Sequence, residues 1–91
     1  MPAVQLLIRG KVQGVFFRAS AKDVADEIGI RGWVKNTEEG DVEILASGSH
    51  DQLQKFIEWC KIGPRRAIVT NVEVTNVDEQ NFKSFDVIRK Y

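Results

Sequence analysis

Eleven residues near the amino terminus, GKVQGVFFRAS at positions 10–20, combine two glycines, a glutamine, two adjacent phenylalanines and a single arginine. Glycines let a chain turn so that successive N–H groups point into one concavity, and such a concavity at a helix start carries the positive partial charge that suits phosphate or sulfate. Arg18 adds a full charge, and its planar fork can take two oxygens of a phosphoryl group at once. The residues that would hold an anion are Gln13, Gly14, Val15, Phe16, Phe17 and Arg18. Taken alone, the stretch fits an ordinary strand-to-helix connection equally well. It is not a Walker loop, because no GK[ST] follows the glycines, and no GxGxxG is present.

For this loop to work, the elements on either side must aim it. Residues 3–9 alternate, with Val4, Leu6 and Ile8 on one side, as in a strand with one buried face. From Ala19 to Ile28 the apolar positions shift to Ala21, Val24, Ala25 and Ile28, the spacing of an amphipathic helix that begins at the arginine and is closed by Gly29. IRGWVKN and DVEILAS read as two strands joined through TEEG, whose Gly40 permits a tight antiparallel hairpin. Ser49 and Gln52 form a capping-box pattern ahead of Leu53, Phe56, Ile57 and Cys60 at helical spacing, and Gly63-Pro64 ends that helix. AIVTNVEV is a β-branched strand, VDEQNFKS a polar loop and FDVIRKY a short apolar run. The order βαββαβ plus a short C-terminal strand predicts an α+β, ferredoxin-like sandwich. Its sheet is mainly antiparallel, with both helices on one face. Strands one and two then run parallel with strand three between them, so the loop after strand one and Asn36 at the end of strand two should meet at one sheet edge.

GKVQGVFFR together with GWVKNTEEGDVE resembles the paired signatures of the acylphosphatase family, and the likeness extends to the GP after the second helix, the T-x-V-E-V strand and the terminal F-x-V-x-R. The resemblance implies hydrolysis of carboxyl phosphates, mixed anhydrides such as acetyl phosphate, to carboxylate and inorganic phosphate. It also implies that the loop amides and Arg18 bind phosphate while Asn36 positions the attacking water. Glu39 departs from the aspartate usual before the turn glycine, which bears on the hairpin more than on the chemistry, and Phe16 occupies a variable place. The chemistry of the residues agrees. A carboxylate with a parent acid of pKa ~4–5 leaves as an anion without a general acid. No histidine, carboxylate or metal cluster in the motif is needed, so a metal-free reaction without cofactors is expected, driven by positioning and fixed positive charge.

Composition narrows the rest. The 91 residues form one expected domain, 1–91, able to bury about 60–65% of its unfolded surface. Thirteen basic residues balance thirteen acidic ones, which gives no bulk attraction to nucleic acid or an anionic membrane. The longest apolar runs fall well short of the ~20 residues of a membrane span, and MPAVQLLIRG is too brief for a signal peptide. A cytoplasmic monomer acting on a small acyl phosphate, with phosphate or sulfate as product or inhibitor, is the expectation. Cys60 is the only cysteine and lies on an apolar stripe, as a buried thiol would. His50 reads as surface, Arg65-Arg66 as a solvated turn, and Trp33 and Trp59 as core and helix-packing residues. Two other classes share features of the pattern. A βαββαβ RNA-binding module would need stacking aromatics in strands one and three, where Leu6, Leu7, Ile8, Val42, Ile44 and Leu45 stand instead. A non-catalytic anion-binding module would not require both Arg18 and Asn36.

Overall fold

The computed structural model describes residues 1–89. In chain order they form β1 (Ala3–Lys11), α1 (Phe17–Ile28), β2 (Arg31–Asn36), β3 (Val42–Ser47), α2 (His50–Ile62), β4 (Ile68–Val77) and β5 (Phe85–Ile88). The last two residues of the run FDVIRKY lie outside the described residues. The sheet order is β4-β1-β3-β2-β5, antiparallel throughout except for the parallel pair β2–β5. β3 therefore separates β1 from β2, which run in the same direction, as the ferredoxin-like reading requires.

Strand alternation decides what the sheet buries. Val4, Leu6 and Ile8 stand opposite Ala46, Ile44 and Val42, and Val34 stands opposite Ile44, so one face carries a continuous apolar surface. Ala21 and Ala25 of α1 and Leu53, Phe56 and Cys60 of α2 close over it. Removing each large side chain of this set from water stabilises the fold by about 1.5–3 kcal/mol. The Phe56 ring lies 5.8 Å from that of Phe85 and 6.3 Å from that of Trp59, which joins the last strand to the second helix. Burial pushes the Cys60 thiol far above its usual range, so the group stays protonated and unreactive.

The open face differs in kind. Gln5, Leu7, Leu45, Glu43, Trp33 and Lys35 alternate onto it. Trp33, expected in the core, is half-buried here with the Lys35 ammonium 5.2 Å from its ring centre. The reason is period two: its neighbour Val34 takes the core side, so Trp33 must take the other. Gln5 bonds to Glu43, and Arg9 pairs with Glu73 at 2.6 Å. On this face β1 and β3 present Gln5, Leu7, Glu43 and Leu45, none of them the stacking aromatics that a single-stranded RNA platform needs in those strands. β4 also runs on to Val77, past the expected end at Val74, because Ala3, Val4 and Gln5 supply ladder partners for Val77, Asn76 and Thr75.

Candidate active site

Beyond Lys11 the chain leaves the sheet and enters α1 through five residues. Val12, Val15 and Phe17 are buried and act as anchors, while Gly14 and Phe16 between them are exposed. Both exposed residues adopt positive φ, 73° at Gly14 and 64° at Phe16. The first suits glycine. The second holds a bulky aromatic in the left-handed region, a cost of roughly 1–2 kcal/mol. Phe17 is fixed from below by the Trp59 ring at 5.3 Å and from the side by Gly63, where an added Cβ would come within 2.8 Å of the Phe17 ring. The helix therefore starts at Phe17, one residue before the expected arginine.

That start is left open. Phe16 is the N-cap residue and offers no side-chain cap, no acid occupies the first turn, and the first backbone bond of the helix runs from the Ser20 N–H to the Phe16 carbonyl. The N–H groups of Phe17, Arg18 and Ala19 precede any intrahelical acceptor. Among the described residues, no protein acceptor takes them.

Asn36 arrives from the other side. It alternates with Val34, which puts it on the helix-bearing face at the strand end, level with Val42 of β3. β5 lies beside β2 in parallel register, Val34 with Val87 and Lys35 with Ile88, so Arg89 comes next to Asn36. A cavity of about 300 Å³ opens between these pieces. Val12, Gly14 and Phe16 line it from the loop, Phe17, Arg18 and Ala19 from α1, and Asn36 and Arg89 from the strand ends. Arg18 is half-buried, and its Nη1 donates to the Ile88 carbonyl at 3.4 Å, a long contact that leaves most of the guanidinium fork for a ligand.

The expected meeting of loop and strand end is thus observed, and Arg18, Asn36, Gly14, Phe16 and Phe17 share one cavity. Val15 turns into the core instead. Gln13 is not among the residues that line the cavity, and its side chain donates to the carbonyls of Thr37 and Asp41, both at 2.8 Å. Arg89 was not anticipated. The alternation Phe85, Val87, Arg89 in F-x-V-x-R was the available signal, since it continues the core-facing side of the strand to the cavity.

The family model described as acylphosphatase matches residues 4–87, which include both the loop and Asn36. An acylphosphatase from Pyrobaculum arsenaticum is 52% identical over 75 residues, covering 81% of this chain and 79% of that one. The chain belongs to the acylphosphatase family. An acylphosphatase from Marinobacter nauticus is 47% identical over 81 residues, 88% of each chain. The crystal structure of the Bacillus subtilis acylphosphatase superposes with a TM-score of 0.93 at 37% identity, over 97% of this chain and 99% of that one. Arg89 lies beyond the residues that the acylphosphatase model matches.

Proposed function

We propose that this acylphosphatase-family enzyme hydrolyses the carboxyl-phosphate bond of small acyl phosphates in a single domain, residues 1–91. The N–H groups of Gly14 to Arg18 and the Arg18 guanidinium hold the phosphoryl group. Asn36 holds the attacking water. The water oxygen bonds to phosphorus as the bond from phosphorus to the acyl oxygen breaks. The carboxylate departs with the electron pair, and the water proton passes to a phosphoryl oxygen, giving inorganic phosphate. Because the leaving carboxylate is a weak base, no group need protonate it. What the site supplies is orientation and positive charge aimed at oxygens on which negative charge gathers in the transition state.

The observation that carries this reading is the convergence of Arg18, Asn36 and the uncapped start of α1 on one cavity. The protein acts as a cytoplasmic monomer, and no helix among the described residues is long and apolar enough to cross a membrane. Phosphate and sulfate occupy the phosphoryl position and compete with substrate. Purified protein should release phosphate from acetyl or benzoyl phosphate at the same rate with and without a chelator, with sulfate a competitive inhibitor. Absence of turnover, or its loss in the chelator, contradicts the proposal. Asn36→Ala should separate binding from chemistry: kcat falls by about 10²-fold while the inhibition constant for phosphate stays within about threefold, the mark of an interaction made only in the transition state. Parallel losses would instead assign Asn36 to the phosphate cradle.

A further inference from the structure

Strands β1 and β2 carry the two halves of the site and do not touch, because β3 lies between them. Two strand spacings, about 9–10 Å, separate the segments that leave their ends. Something must hold those segments in register if an anion bound to one is to be attacked by a water bound to the other.

One side chain spans the gap. Gln13 Nε2 carries two hydrogens, and the structure gives it two acceptors, the Thr37 and Asp41 carbonyls, both at 2.8 Å. Its donor capacity is complete. Those carbonyls belong to a turn that is already closed on itself: the Thr37 N–H donates to the Asp41 carbonyl at 2.9 Å, the Gly40 N–H to the Thr37 carbonyl at 3.2 Å, and the Asp41 N–H to the Thr37 hydroxyl at 3.1 Å. Gln13 therefore grips a rigid object, and Thr37 in that object directly follows Asn36. On its own side, Gln13 sits between the buried anchor Val12 and Gly14 of the cavity wall.

We infer that Gln13 is a positioning residue, whose side-chain amide fixes the distance between the phosphate-binding loop and Asn36 without touching the substrate. The inference rests on the reading of Asn36 given above. A clamp of this kind has a distinctive consequence. Releasing it leaves the loop amides and Arg18 able to bind phosphate, yet lets the water-holding side chain drift from the line of attack, so the loss falls on kcat.

The test is a double-mutant cycle read with acetyl phosphate, using Gln13→Met, which keeps the length of the side chain but has no donors, and Asn36→Ala. Gln13→Met should lower kcat about tenfold or more with the phosphate inhibition constant within about threefold of the wild type. In the Asn36→Ala background the same change should cost less than about twofold, because there is no longer a positioned water to misplace. Gln13→Glu supplies a second readout that does not depend on the first variant folding. Its carboxylate would face two carbonyl oxygens, whereas its protonated form can donate to one of them. Its activity relative to the wild type should therefore rise as pH falls. Equal losses in both backgrounds, a phosphate inhibition constant that worsens with kcat, or a Gln13→Glu profile parallel to the wild type would each overturn the assignment. Full activity of Asn36→Ala alone would bring down the reading of Asn36 and this inference with it, whereas an additive cycle removes only the inference.

Discussion

Helix α2 begins on Ser49, whose hydroxyl accepts from the Gln52 N–H at 3.1 Å while the Gln52 side chain accepts from the Ser49 N–H at 2.8 Å. Asp51 in its first turn complements the positive end of the helix dipole. Helix α1 begins on Phe16, left-handed and uncapped, with Arg18 in place of an acid in its first turn. Every feature that satisfies one helix start is withheld from the other. A cation at a helix start opposes the dipole by roughly 0.3–1 kcal/mol, and the left-handed aromatic adds its own cost. An anion bound at α1 would satisfy the orphan N–H groups and neutralise Arg18 together. The difference teaches that the two termini are satisfied differently: α2 closes its start with its own side chains, whereas α1 leaves its start open, as the proposed phosphoryl site requires.

Removing the charge at α1 should have the largest effect. Arg18→Ala is expected to lower turnover by at least about 10²-fold, in keeping with the ~2.7–4 kcal/mol that a donor aimed at developing negative charge supplies. It should also weaken phosphate binding in parallel, with the melting temperature little changed. Near-normal turnover would break the comparison at its centre. Giving α1 the acid that α2 already has should come next. Phe16→Asp places a carboxylate at the open N–H groups and should raise the phosphate inhibition constant about tenfold or more while stabilising the fold, as thermal melting would reveal. A variant with tighter phosphate binding would contradict the anion cradle. The smallest effect is expected where the cap is purely structural. Ser49→Ala should cost about 1 kcal/mol of stability, or ~4–8 °C in Tm for a domain of this size, and leave kcat and KM for acetyl phosphate unchanged.

The contrast also separates what could be read from the sequence. Ser49 and Gln52 announce their helix start through a local pattern with a known mechanism, and the structure repeats it bond for bond. Val4, Leu6 and Ile8 likewise reveal their face by alternation. Phe16 could not be foreseen in a left-handed conformation, because nothing local favours it there; the conformation is imposed by the buried anchors Val15 and Phe17 on either side. Trp33 was misassigned to the core because IRGWVKN has no clean alternation to show which of Trp33 and Val34 faces inward. That Arg18 and Asn36 would meet at one sheet edge was legible from the topology, and the cavity they share bears it out. Gln13 was expected among the anion-holding residues and its side chain instead bonds the β2–β3 turn, while Arg89 was not expected at the site at all, since each placement depends on contacts between segments distant in the chain. The Gln13 bonds reach across to the β2–β3 turn, and Arg89 comes to the cavity only through the parallel β2–β5 pairing.

The order of the strands bears on how the protein is made. β1 is synthesised before the other described elements yet lies inside the sheet, and β4, which covers one of its edges, comes only after α2. Until β4 emerges, a nascent chain can pair β1 only with β3, and its other edge stays bare, the kind of surface that recruits foreign strands. The guanidinium of Arg18 waits longer still, since its carbonyl partner Ile88 lies 70 residues downstream. Closing contacts so distant along the chain is slow. Both helices and the β2–β3 hairpin can form while catalysis is still absent, so turnover in a translation reaction would mark arrival of β5 more strictly than any measure of helical content.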